Sequence, residues 1–136
     1  MKVSDELKEM TIRCLHAFTA DVSYLTGHIS PQDGVLAIGT DPQEWWAGHD
    51  AITQIFKAQS EAMQGMTIVG IEPKAFSEGS VGWAAASPIF QLPDGTELPF
   101  RLTVVYHQED GVWKVVQWHA SLGVANEEAL GEELPT

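Results

Sequence analysis

The sequence is poor in cysteine and in cations, and it has no long apolar run. A single cysteine, Cys14, among 136 residues cannot close an internal disulfide, so a reducing, cytoplasmic setting is expected. Only 7 Lys plus Arg stand against 19 Asp plus Glu, a formal charge of −12. Such a surface repels phosphate backbones and anionic lipid, so neither nucleic acid nor a membrane is an expected partner. No apolar stretch approaches the roughly 18 residues a membrane helix needs. Met1 to Met10, charged from Lys2 onward, lacks the apolar segment of a secretory signal. The 5 histidines form no His-x-His or His-x3-His pair, and no Cys-x-x-Cys exists, so no metal site is expected. No Gly-rich phosphate loop or Gly-x-Ser-x-Gly elbow is present, and no cofactor is implied.

What the chain does have is core material. Hydrophobic residues make up 44% and charged residues 19%, in a length typical of one domain. Ser4-Asp5-Glu6 reads as a capped helix start, and Leu7, Met10, Cys14 and Phe18 recur at helical spacing as far as Ala20-Asp21. A short helix is expected over Asp21–Ile29 and a strand over Val35–Ile38. A further helix, capped by Asp50 with Ile52, Ile55 and Phe56 on its buried side, should run to about Gly65.

After Met66 the period changes from helical to alternating. Four strand-like segments follow, roughly Thr67–Ser77, Val81–Leu92, Leu98–Gln108 and Val112–Val124. Asp94-Gly95 and Asp110-Gly111 are hairpin signals, because a type I′ turn needs positive φ at both central residues. Helices first and a strand meander afterwards predict an α+β domain over residues 1–125, followed by an acidic tail over 126–136.

With two-residue corners at both Asp-Gly pairs, side chains can be assigned to faces. Phe100, Leu102, Val104, Tyr106, Trp113, Val115, Gln117, His119 and Ser121 fall on one face. Arg101, Thr103, Val105, His107, Lys114, Val116, Trp118 and Ala120 fall on the other. The first set is the more apolar and is assigned to the inside; extending the count adds Trp83, Ala85, Ser87 and Ile89. The outer set mixes charge with Val105, Val116 and Trp118, which predicts a homodimer through that face, Trp118 included.

Several motifs together carry a resemblance. They are Ile38-Gly39-Thr40-Asp41-Pro42 leading to Trp45-Trp46, then Gly48-His49-Asp50-Ala51-Ile52, Val81-Gly82-Trp83-Ala84, Pro93-Asp94-Gly95, and the closing Gly111-Val112-Trp113 through His119-Ala120-Ser121. In this the chain resembles SnoaL-like proteins of the NTF2-like superfamily, which includes ketosteroid isomerases and polyketide cyclases. The resemblance implies a cone: N-terminal helices packed on a curved, mainly antiparallel sheet that encloses a pocket. It does not carry isomerase chemistry over. Aligned on Gly48–Ile52, the base position of the ketosteroid isomerases falls near Gly39, and the helix-one tyrosine position falls at or near Cys14. Asp41 replaces the base only if its loop is reshaped.

Two functions remain open. One is a binding domain that holds a small apolar or aromatic metabolite, with Trp46, Trp83, Ser87, Leu102 and Gln117 as lining residues; 5 tryptophans suit such a pocket. The other is a cofactor-free isomerase, cyclase or dehydratase. There His119 is the general acid or base, with Tyr106 or Gln117 polarising a carbonyl and Asp41 as the loop carboxylate. Glu44 lies on the same loop as Asp41. Each candidate also has a plain structural explanation: a hydrogen-bonded core histidine, packing aromatics, and a turn-forming aspartate before Pro42.

Overall fold

A computed structural model describes residues 1–136. In chain order the elements are β1 (Lys2–Val3), α1 (Asp5–Phe18), α2 (Ser23–Thr26), β2 (Leu36–Ile38), β3 (Trp45–Ala47), α3 (His49–Ala62), β4 (Thr67–Val69), β5 (Lys74–Glu78), β6 (Val81–Ala86), β7 (Ile89–Gln91), β8 (Glu97–Pro99), β9 (Arg101–Glu109), β10 (Val112–Ser121) and α4 (Asn126–Leu130). One sheet runs β1-β5-β6-β9-β10-β2-β3, antiparallel except where β2 lies parallel to β10. A second, three-stranded sheet runs β4-β7-β8. This is the expected α+β layout of helices against a curved, mainly antiparallel sheet.

Helix α1 begins where the sequence places it: the Ser4 hydroxyl accepts from the Leu7 backbone N–H at 3.2 Å, with Asp5 and Glu6 in the positive first turn. Its stripe of Leu7, Met10, Cys14, Leu15 and Phe18 is buried. The third helix starts one residue before Asp50, from Gly48 at φ 95°, and no side chain caps it; Ile52 and Phe56 face inward. Both helices feed one core cluster of 22 buried residues.

Three of the four expected long strands are in fact pairs of shorter ones, and proline or glycine marks each break. Gly70 at φ 66° and buried Pro73 separate β4 from β5. Ser87-Pro88 separates β6 from β7. Phe100 separates β8 from β9, its N–H donating to the Pro88 carbonyl at 3.0 Å. The β6–β9 hairpin therefore bends at Pro88 and Phe100 and continues as β7–β8 in the smaller sheet. Proline cannot donate to a ladder, so the bend falls there. That bend carries Phe90 and Phe100 over the mouth of the larger sheet, their rings stacked 4.2 Å apart.

Candidate functional site

The last hairpin decides which side chains face inward. Asp110 at φ 51° and Gly111 at φ 79° form the expected two-residue corner, and the pairs Glu109↔Val112 through Tyr106↔Val115 follow. The ladder then slips: Gln117 pairs with Val105, leaving Val116 as a bulge. One extra residue on one strand exchanges the two faces beyond it. Trp118 turns inward opposite Val104 and retains 5% exposure, while His119 pairs with Thr103 on the outside. His119 shares a shallow outer groove with Arg101, Thr103 and Ser121. The inward placement expected of His119 and Gln117 is corrected accordingly, and so is the outward placement of Trp118.

A second slip affects the neighbouring strand. Asp94-Gly95 is not a two-residue corner; only Gly95 has positive φ, and Leu92 donates to the Thr96 carbonyl across Pro93-Asp94-Gly95. This three-residue loop shifts the count by one, so Gly82 pairs with Tyr106 and Ala84 with Val104. Trp83 lies outside, its ring 6.4 Å from that of Phe76, and Ser87 is exposed at the bend. Neither lines an interior space. Gly82 lies beneath α1, where a Cβ would stand 2.1 Å from Leu7 Cδ1, so any larger residue requires the buried Leu7 side chain to move.

Tyr106 faces inward as expected, but its hydroxyl is committed elsewhere. Thr11 Oγ1 donates to the Leu7 carbonyl at 2.7 Å, so the Tyr106 hydroxyl, 2.6 Å from Thr11 Oγ1, is the donor in that contact. Burial pushes the phenol well above its usual range. Leu102 is also buried, at 1% exposure, within the core rather than on a cavity wall. The Tyr106–Thr11 bond ties β9 to α1.

A mostly apolar cavity of about 250 Å³ lies at the open end of the sheet, between α1, α3, the β2–β3 loop and the β7–β9 bend. Its walls are chiefly aromatic: Phe18 and Phe56 from the helices, Trp118 from β10, Trp46 from β3, and the Phe90–Phe100 stack. Phe56 meets Phe18 edge-on at 5.3 Å and Trp118 at 5.7 Å. Of the lining residues expected from sequence, only Trp46 takes part.

Three polar side chains, Thr40, Glu44 and Gln59, interrupt this lining. Glu44 ends the β2–β3 loop, and its carboxylate folds back over Gly39. A Cβ at position 39 would lie 2.6 Å from Glu44 Oε1. The Asp41 N–H donates to Glu44 Oε1 at 2.8 Å, and Gln59 Nε2 on α3 donates to Oε2 at 2.5 Å. Asp41 itself is exposed, and its carboxylate accepts from the Gln43 N–H at 2.8 Å, a turn-forming bond.

Of these residues, Glu44 is expected from the sequence on the loop beside the pocket together with Asp41, whereas sequence reasoning missed the inward Trp118 and Gln59. A signal for Trp118 exists: the apolar phase of β10 changes from odd positions (Trp113, Val115) to even ones (Trp118, Ala120) across Val116. For Glu44 the sequence offers only a loop length that lets Trp45-Trp46 pair back on β2.

The architecture is that of the NTF2-like class, a helix-filled cone of sheet with an end-on cavity. The SnoaL-like domain model matches residues 12–125, and the chain belongs to that family. It is similar in structure to an NTF2-like protein of unknown function from Pseudomonas putida KT2440, with a TM-score of 0.78 and 19% identity over 95% of this chain and 91% of that one. An uncharacterised Caulobacter vibrioides protein with a cystatin-like fold gives a TM-score of 0.75 at 16% identity, covering 90% and 91%. A candidate ketosteroid isomerase from Parabacteroides distasonis ATCC 8503 gives 0.69 at 14%, covering 86% and 85%. These identities speak for the fold alone. No curated protein matches the chain in sequence. No helix is long and apolar enough to cross a membrane.

Proposed function

We propose that residues 1–125 form a binding domain that holds a small apolar or aromatic molecule in the cavity between Trp118 and the β2–β3 loop. The supporting observation is the cavity itself, about 250 Å³, walled by aromatic rings and opening at one end of the sheet. Its size suits a compound of one or two rings. The test is a thermal-shift screen with small aromatic compounds, because a ligand that binds only the folded state raises the melting temperature. Hits should lose their effect in Trp46→Ala, a half-buried wall residue whose removal leaves the core in place. A screen without a single hit, or hits indifferent to Trp46, would count against the reading.

Proton transfer by His119 is the weaker alternative. Its ring is on the opposite side of the sheet from the cavity, beside Arg101 and Thr103, out of reach of a molecule bound within.

We also propose that two copies associate through the outer sheet face, without Trp118. That face presents Phe76, Trp83, Val105 and Leu36, with Trp45 at 67% exposure on its edge strand. Such a patch is larger than isolated surface apolar residues explain. Light scattering should give a dimer mass for the wild type and a monomer mass for Trp83→Arg.

A further inference from the structure

Glu44 is the only acidic group among the residues that line the aromatic cavity, and no Lys, Arg or His lines it. The ion pairs of the chain lie elsewhere: the Met1 amino group with Glu78, His49 with Asp50, and His107 with Glu109. The Glu44 carboxylate is therefore oriented but not neutralised. The Asp41 N–H at 2.8 Å and the Thr40 hydroxyl at 3.5 Å both donate to Oε1, whereas Oε2 takes only the Gln59 amide and keeps a lone pair free. The carboxylate is half-buried at the cavity border, so a cation bound there would meet it without displacing any counter-charge of the protein.

The walls around it favour the same kind of partner. The faces of aromatic rings attract cations, and Trp46, Trp118, Phe18, Phe56, Phe90 and Phe100 surround the space that Glu44 borders. The absence of a side chain at Gly39 is what lets the carboxylate reach that border. The net charge of −12 adds an attractive field for cations at a distance.

We propose that the ligand is a small organic cation, an apolar ring system bearing a protonated amine, with the amine on Glu44 and the ring among the aromatic walls. This rests on the binding-domain reading above and specifies its ligand class.

The test compares three probes of nearly equal size by calorimetry at neutral pH: phenethylamine, 2-phenylethanol and 3-phenylpropanoate. The wild type should bind the amine roughly tenfold or more tighter than the alcohol, the size of preference expected for a charged hydrogen bond, and the carboxylate most weakly. Glu44→Gln should bring amine and alcohol together while alcohol binding stays within about twofold, since the amide keeps the shape. The comparison within the wild type needs no variant, so it stands even if Glu44→Gln folds poorly. Equal affinity for amine and alcohol overturns the cation proposal and leaves the binding-domain reading intact. An amine preference that survives in Glu44→Gln also overturns it, because the preference then comes from the general negative field. Failure of all three probes to bind counts against both.

Discussion

The carboxylate of Glu44 occupies the volume that a side chain at position 39 would fill, with Oε1 2.6 Å from where the Gly39 Cβ would stand. The loop between them is a tight hairpin, in which the Gly39 N–H donates to the Glu44 carbonyl at 2.9 Å and Ile38 pairs with Trp45. An acidic group thus reaches the cavity border from a residue five positions along the chain. Position 39 itself, reached by alignment on Gly48–Ile52, carries no carboxylate.

Gly39→Ala should therefore displace Glu44 and break its bonds to the Asp41 N–H and Gln59. A loss of about 1 kcal/mol is expected, the net worth of one or two such bonds at a half-buried site. The Glu44 Cβ would itself lie 2.8 Å from a Cβ at position 39, so the partner variant is Glu44→Gly, which loses the same bonds. The double variant should cost less than the sum of the two. Urea melts of the four proteins measure this coupling. Additive losses would mean that the two positions do not compete for the same space.

The Tyr106–Thr11–Leu7 chain predicts an asymmetry. Tyr106→Phe removes a donor and leaves Thr11 still bonded to the Leu7 carbonyl, costing about 1 kcal/mol. Thr11→Val strands the buried Tyr106 hydroxyl without an acceptor and should cost more, about 1–3 kcal/mol. Adding Tyr106→Phe to Thr11→Val should then recover stability, which denaturant melts would detect.

Cys14 is fully buried, and burial pushes its thiol up to about 12, only partly opposed by the charge of Arg13. A thiol held in that form reacts slowly, because the thiolate is the nucleophile. In Ellman's assay at pH 8 the native protein should react on the order of a thousandfold more slowly than the protein in urea. Comparable rates would place Cys14 outside the core.

Acid sensitivity should centre on Glu109. Burial alone would raise this carboxyl, but hydrogen bonds from His107 Nδ1 and Ser30 Oγ, with the charges of His107 and Lys114, hold it below its ordinary 4.5. A group depressed on folding adds stability that is complete above its unfolded value and is lost as pH falls through its folded value. Glu109→Gln should thus be less stable than wild type at pH 7, and the gap should close as pH falls below 4.5. A gap unchanged between pH 7 and pH 3 would contradict this.

Local signals in the sequence predicted local structure well. The Ser4 cap, the α1 stripe and the Asp110-Gly111 corner depend on neighbouring residues, and each forms as its chemistry dictates. The site was harder to read, because it depends on sheet register, and register fails by single residues. Pro93-Asp94-Gly95 and the Val116 bulge each shift the count by one, and together they move Trp83, Gln117 and His119 out and Trp118 in. The bulge had a visible mark in the changed phase of β10; the three-residue loop shares its Asp-Gly with a true two-residue corner. Glu44 belongs to neither case, since its placement depends on Gly39 leaving a space, a relation between side chains that periodicity does not report.

The Val116 bulge carries the identity of the cavity, and nuclear Overhauser contacts in solution test it most directly. Contacts are expected from the Trp118 indole to the rings of Phe18 and Phe56, and from the His119 imidazole to the Thr103 methyl. Contacts from the His119 ring to Phe18 or Phe56, with the Trp118 indole free of both, would contradict it.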